Sequence, residues 1–559
     1  MKPVIYQLLP RLFSNMNPDP VPCGTIEQNG CGKFSGVTSS ALRAIRSLGA
    51  THVWFTGVIE HAHCPDYSAF GIRPDNPHVV KGQAGSPYAI TDYYDVDPDL
   101  ADNPAKRMEE FESLIARTHR QGLKAIIDFV PNHVAREYRS DAAPRGVRDL
   151  GADDRKDLAF HPDNNFYYMP GTRFSPSNVF LGDYSEEPAR ASGNDCFTPS
   201  PDRNDWYETV KLNYGIDYPG NTGCHFDPTP STWHKMLHIL RYWAKKGVDG
   251  FRCDMAHMVP IEFWRWVIPQ IKKINKEIIF IAEIYDIGLY RPYIFDGGFD
   301  YLYDKVNLYD TLRGIQCHGI SAAAITGCWQ RVDGIEDHML NFLENHDEQR
   351  YASQFYAGRA DTVLPSLVVS SLLGRGAMMI YFGQEMGEAG MDAEGFSGHD
   401  GRTTIFDYWS LASMRAWLAG GKPSAAGLAR WQVDLRNTYR KILTLCNNEP
   451  AISEGSFFDL MYVNYENPEF DPGRQYAFLR QHGDTLLLIA VNFADTAVQT
   501  AINLPRHAFD HLGIAEGEYS AKELLGGRRQ TKTLSSEYPF STAIEAHGAV
   551  IWRLQKSKK

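Results

Sequence analysis

The sequence predicts an α/β protein: a (β/α)8 TIM barrel with an inserted subdomain after strand 3 and a C-terminal antiparallel β-sandwich. Three observations carry that prediction. Short apolar runs alternate with helical patterns from the start to about residue 449, as repeated βα units require. The rhythm lapses between His133 and Thr229, a stretch rich in Asp, Asn, Pro, Gly and aromatics that is too long for a structureless loop. After Glu449 the pattern becomes a two-residue alternation broken by turn residues such as Gly483-Asp484. The boundaries that follow are 1–134 and 229–449 for the barrel, 135–228 for the insert and 450–559 for the sandwich.

Eight runs are candidate barrel strands: 4–9, 52–56, 125–130, 250–253, 278–282, 300–303, 339–343 and 377–382. Several are apolar without interruption, which suits parallel strands covered on both faces. Two of the helices between them are well marked. Asn103 and Pro104 open one, with Met108, Phe111, Leu114 and Ile115 as its inward stripe and Gly122 as its stop. Thr229 and Pro230 open another, carrying Trp233, Met236, Leu237, Leu240 and Ala244 inward before Gly247. Both stripes are explained by packing alone, and each helix leads into a strand with an acidic end. The sandwich strands are expected near 475–480, 485–493 and 549–554, and the closing Lys-Ser-Lys-Lys as a solvated tail.

Composition narrows the partners. The chain has 559 residues and a formal charge of −12, which argues against nucleic acid or an anionic membrane as the main partner. No apolar stretch reaches the roughly 18 residues of a membrane span, and the nearest, 364–382, contains Arg375. The first apolar run is cut by Pro10 and Arg11 and lacks a small-residue cleavage site, so it does not read as a signal peptide. Nine cysteines, an odd number with no Cys-x-x-Cys pair, suggest reduced thiols in the cytoplasm rather than a disulfide frame or a zinc site.

Four segments carry the chemistry: Asp-Phe-Val-Pro-Asn-His at 128–133, Gly-Phe-Arg-Cys-Asp at 250–254, Ile-Ala-Glu at 281–283 and Glu-Asn-His-Asp at 344–347. Each sits at the polar end of an apolar run, where barrel enzymes keep their reactive groups. Asp254 and Glu283 end consecutive strands with one helix between them. Strands about 4.8 Å apart bring such carboxyls near the roughly 5–5.5 Å that a retaining glycosidase needs. Arg252 precedes Asp254 by two residues and so shares its face, where it favours an ionised carboxylate. Alone, that pair is an ordinary ion pair at a barrel end. Asp347 supplies a third carboxyl suited to gripping sugar hydroxyls, with His133 and His346 as donors to the same sugar.

In order and spacing these segments resemble the conserved regions of the α-amylase family, glycoside hydrolase family 13. So do Ile-Tyr-Gln at 5–7, Tyr-Ala-Ile-Thr-Asp-Tyr-Tyr at 88–94 and Ile-Tyr-Phe-Gly-Gln-Glu at 380–385. The likeness covers nearly the whole chain. It implies that Asp254 is the nucleophile, Glu283 the general acid/base and Asp347 the transition-state stabiliser. It also implies that Arg252, His133 and His346 serve the same subsite, that Tyr88 is the platform under the cleaved sugar and that Arg350 is a nearby substrate contact. Many members bind calcium through the counterpart of Asn132 and a backbone carbonyl four residues after the nucleophile. Here that position is Met258, with His257 one place earlier, so calcium is open but unsupported and no cofactor is required. A second family calcium loop corresponds to Asn29–Lys33, where Cys31 and Lys33 replace hard oxygen ligands and no ion is expected. Val210-Lys211-Leu212-Asn213 lies between the α-1,4 and α-1,6 forms of its segment and does not decide linkage.

The reading that follows is a retaining hydrolase of α-glucosidic, mainly α-1,4, bonds in maltooligosaccharides, starch or related α-glucans, acting as a monomer or small homo-oligomer. The alternative is an α-glucanotransferase that passes the same intermediate to a sugar. A third, a non-catalytic glucan-binding homologue, is disfavoured because all three carboxyls are present.

Overall fold

The computed structural model describes residues 2–390, 395–396 and 398–556. The expected tail therefore lies outside the described residues, except for Lys556. Eight parallel strands close on themselves in chain order: β1 (Val4–Leu8), β2 (His52–Phe55), β3 (Lys124–Phe129), β4 (Gly250–Cys253), β5 (Ile279–Ala282), β6 (Tyr301–Tyr303), β7 (Met339–Asn341) and β8 (Ala377–Tyr381). Closure is visible at β1, where Ile5 pairs with His52 of β2 on one side and Met379 of β8 on the other. Every expected run holds a strand. The strand ends shift by at most two residues, and 250–253 coincides with its expected run.

The two marked helices form as their stripes require. Asn103 Oδ1 accepts from Ala105 N at 3.1 Å, opening a 3₁₀ turn that runs into the helix Arg107–Arg120. Phe111, Leu114 and Ile115 are buried on its inner face. Helix Ser231–Lys245 begins directly after Pro230 and buries Trp233, Met236, Leu237, Leu240 and Trp243. Each of these large side chains contributes about 2 kcal/mol by leaving water, so the stripe, not the polar face, fixes where the helix lies.

The segment after β3 has little regular structure. Its strand His133–Ala135 pairs antiparallel with Thr209–Lys211, and Tyr168–Met169 pairs with Ala189–Arg190. A small apolar cluster joins Phe174, Tyr184, Ala189 and Tyr207 of this segment to Val79 in the loop after β2. Polar cross-links do the remaining work: Glu186 bridges Arg136 at 2.9 Å and Arg190 at 2.7 Å. Arg136 also lies 3.6 Å over the Phe174 ring.

Beyond the barrel, six antiparallel strands form one sheet: Ser456–Asp459, Gln475–His482, Thr485–Asn492, Gly548–Lys556, Gly517–Glu523 and Arg529–Leu534. A two-stranded ribbon of Val498–Ile502 and Phe540–Ile544 covers it, with Trp552 Nε1 donating to Thr542 Oγ1 at 3.1 Å. Arg480 fastens the sheet to the barrel by donating to Leu373 O at 3.1 Å, and it also donates to Ile452 O of its own domain at 2.7 Å. The nine cysteines are all unpaired, and no described helix is long and apolar enough to cross a membrane.

One backbone contact sets the approach to the barrel mouth. Gly85 has φ +73° and packs so tightly that a Cβ would stand 1.6 Å from Ala62 O. Its carbonyl also accepts from Arg11 Nη1 at 3.3 Å. Gly85→Ala is therefore expected to cost about 2 kcal/mol or more and to lower the thermal unfolding midpoint by several degrees. An unchanged midpoint in a differential scanning experiment would show that this segment has room to shift.

Candidate active site

Cys253 of β4 stands opposite Ala282 of β5, so the next residues, Asp254 and Glu283, leave the barrel at the same level. Arg252, fully buried, points between them. Its Nη1 donates to Asp254 Oδ1 at 2.8 Å, and its Nη2 lies 2.7 Å from Glu283 Oε1. Asp128 Oδ1 is 3.6 Å from Nη1, and Nε donates to the Tyr303 hydroxyl at 3.2 Å. The rings of Trp54 and Tyr88 flank the guanidinium at 5.3 Å each. One cation thus faces three carboxyls in a dry place.

That imbalance has a consequence for protons. Burial, and then repulsion from Glu283, push the Asp254 carboxyl well above the usual range, with Arg252 opposing. Burial likewise raises Asp128 to about 6 against the pull of Arg252.

Local structure aims Glu283. Met255 adopts φ 44°, rare for a residue with a side chain, and its N–H donates to Glu283 Oε2 at 2.8 Å. The Tyr285 hydroxyl donates to Glu283 Oε1 at 2.5 Å.

Asp347 comes from the loop after β7. Asn345 Oδ1 accepts from the N–H groups of Asp347 and Glu348 at 2.8 and 2.9 Å, which fixes the turn and leaves the Asp347 side chain 40% exposed. Beside it, His346 Nδ1 accepts from Gln7 Nε2 at 2.9 Å, so the ring proton sits on Nε2. That Nε2 meets the Tyr88 hydroxyl and lies 3.1 Å from Asp347 Oδ2. Tyr88 stacks on the same imidazole at 5.2 Å. Burial and the nearby Arg252 hold the His346 pKa well below the normal value, so the ring is neutral at physiological pH. His133, packed 5.1 Å from Trp206, is pulled down to about 3 by burial and then by Lys211 and Lys81.

These groups line one cleft of about 460 Å³, with Tyr88, His133, Trp206, Asp254, Glu283 and Asp347 on its walls. Arg252 lies beneath it and His346 in the wall of an adjoining recess. Arg350 is placed differently from the expectation of a substrate contact. It is fully buried, donates to Glu344 Oε2 at 3.0 Å, Phe382 O at 2.9 Å and Thr403 Oγ1 at 2.8 Å, and is not among the cleft's lining residues. A carboxylate six residues upstream captures its guanidinium and turns it inward. Lining residues absent from the sequence reading are Tyr285, Trp206, Arg402, Lys305 and the Lys81–Glu208 ion pair, 2.8 Å long. Only Tyr285 left a signal: two residues after Glu283, it repeats the spacing of Arg252 and Asp254.

At both calcium positions protein groups already engage the candidate residues. Asn132 Oδ1 accepts from the ammonium of Lys211. In the loop after β1, Asn29 Oδ1 accepts from Val21 N at 2.8 Å, and Lys33 Nζ donates to Asp99 O at 2.6 Å. Among the described residues no cluster of three His, Cys, Asp or Glu side chains is arranged to hold a metal.

Comparison with known proteins finds relatives over nearly the whole chain. The sequence profile described as "Alpha amylase, catalytic domain" matches residues 7–415. The alpha-amylase MalA of Haloarcula japonica is 24% identical over 546 residues, covering 96% of this chain and 61% of that protein. Neopullulanase 2 of Thermoactinomyces vulgaris is 24% identical, covering 69% of this chain and 57% of that protein. The chain thus spans about three fifths of the length of these two relatives. A probable alpha-glucosidase of Rhizobium meliloti is 23% identical, with 90% of this chain and 91% of that protein covered. The alpha-amylase of Geobacillus thermoleovorans, solved in complex with acarbose, superposes with a TM-score of 0.63 at 17% identity, covering 100% of this chain and 99% of that one. A likeness at that identity speaks for the fold alone.

Two measurements check the site's electrostatics. Arg252→Met strips the counter-ion from buried carboxyls and is expected to destabilise the protein by about 3–5 kcal/mol in urea unfolding. A loss under about 1 kcal/mol would mean that the carboxyls are already neutral without it. In ¹⁵N NMR, His346 should keep its neutral Nε2–H form from pH 8 down to 5. An imidazolium signal in that window would contradict the Gln7 hydrogen bond.

Proposed function

The chain belongs to the α-amylase family, and from that premise we propose that it is a retaining glycoside hydrolase that cleaves α-glucosidic, mainly α-1,4, bonds in maltooligosaccharides or related α-glucans. The observation that carries this reading is the single buried guanidinium shared by Asp254 and Glu283 at the ends of adjacent strands. Two carboxyls tied to one cation are held close, and a retaining pair stands about 5–5.5 Å apart, whereas an inverting pair needs about 6.5–9.5 Å to admit water.

The proposed reaction requires Glu283 in its acid form and Asp254 ionised, a charge that the Arg252 guanidinium at 2.8 Å favours against burial. An Asp254 oxygen attacks the anomeric carbon from one face while Glu283 gives its proton to the departing glycosidic oxygen. The glycosyl–Asp254 ester forms as the C–O bond breaks. Glu283, now ionised, takes a proton from water, whose oxygen displaces Asp254 and restores the α configuration. Asp347, the most open of the three, accepts from sugar hydroxyls, and those bonds strengthen as the ring flattens toward the oxocarbenium state. Neutral His346 donates through Nε2 without adding charge. The Tyr88 ring supports the apolar face of the same sugar, and His133 borders that subsite. The unpaired thiols accord with a reducing, cytoplasmic setting.

Stereochemistry tests the constellation as a whole. Proton NMR of the first product, read before mutarotation, is expected to show the α-anomer; an initial β-anomer would remove Asp254 as nucleophile. Asp254→Asn should keep its thermal midpoint and lose turnover by at least about 10⁴-fold. Glu283→Gln should fail on glucan yet form the ester from an α-glycosyl fluoride, whose leaving group needs no proton. Equal losses on both substrates would assign Glu283 another role.

A further inference from the structure

Lys211 ends the short strand Thr209–Lys211 with its ammonium buried at the seam between the insert and the barrel. The ammonium donates to the Asn132 side-chain oxygen, to Met258 O at 3.1 Å and lies 2.6 Å from Asp195 Oδ1. An ammonium has three N–H bonds, and here each finds one oxygen. The three oxygens come from three separate segments. Asn132 follows β3, Asp195 belongs to the insert, and Met258 stands four residues past Asp254 in the loop after β4. An amide oxygen, a carboxylate and a backbone carbonyl are the donor types a hard divalent cation gathers.

We propose that the Lys211 ammonium is a built-in cation that replaces calcium as the clasp between insert and barrel, and that the protein is calcium-independent for this reason. A calcium ion would need six to eight oxygens at about 2.3–2.6 Å, and the ammonium already occupies the point where the three converge. The clasp bears on the cleft through Asn132, whose Nδ2 donates to Gly193 O at 2.7 Å and lies 3.1 Å from His133 Nδ1. Through the Met258 carbonyl it holds the loop that follows Asp254. Lys211 is therefore a positioning residue.

The test compares wild type, Lys211→Ala and Lys211→Met by elemental analysis and by thermal unfolding with chelator or with about 5 mM calcium. Wild type should carry no stoichiometric metal, and its midpoint should be the same under both conditions. Lys211→Ala opens a cage of three oxygens that water can complete, so its midpoint should fall and calcium should restore part of the loss. Lys211→Met fills the same space without charge and should be destabilised without calcium rescue. Stoichiometric calcium in wild type, or a midpoint lowered by chelator, would overturn the proposal without any variant. An unchanged midpoint in both variants would do the same, and so would Lys211→Ala that calcium leaves unmoved. If neither variant folds, the wild-type metal content and chelator response decide.

Discussion

The site is organised around one buried guanidinium. A charge as deep as that of Arg252 is expensive to desolvate, and it persists only because carboxyls, a hydroxyl and three aromatic faces surround it. Apart from Tyr88, those partners lie on or just beyond the five neighbouring strands β2 to β6, so the cation is satisfied only when these strands stand in register. A slip of one residue in β4 would turn Arg252 outward and bring Cys253 to the inside. The barrel is thus the condition for the charge, and the charge in turn keeps the two carboxyls together.

The same economy of charge explains the neutral histidines. Adding imidazolium beside Arg252 or beside Lys211 would place like charges in a dry pocket. Burial and those neighbours hold both rings uncharged, and Gln7 selects the tautomer of His346. The floor and walls of the cleft therefore offer a neutral sugar hydrogen-bond donors of fixed direction. Negative charge is confined to the carboxyls that face it.

The insert solves a different problem. Phe174, Tyr184, Ala189 and Tyr207 cluster with Val79, while Leu150, Phe166, Tyr168, Val210, Leu212 and Tyr214 join the main core. Ion pairs add to that packing: Glu186 between two arginines inside the insert, Lys81 with Glu208, and Lys211 at the seam. Because Lys211 clasps segments that also carry His133 and follow Asp254, one contact bears on both the fit of the insert and the shape of the cleft.

The sequence by itself determined the barrel, its eight strands and the residues that end them. Strands buried on both faces must be apolar along their length, and function must begin where that apolarity stops. That rule located Asp254, Glu283, Arg252 and Asp347 without a structure, since each is fixed by its distance from a strand end. Arg350, implied by the family resemblance alone, is placed otherwise by the fold. It lies beyond the strand in a loop, and only folding brought Glu344 close enough to turn it away from the cleft. Tyr285 was within reach of the two-residue spacing, but Trp206, Lys305 and Arg402 were not, because they enter the cleft from segments without periodicity. Lys211 is the clearest case. Its three oxygen partners are distant in sequence and lie on separate loops, and no local pattern marks a lysine whose charge is used in place of a metal. Chain periodicity encodes what neighbouring strands share, whereas the meeting of irregular segments is decided by the packing of the whole.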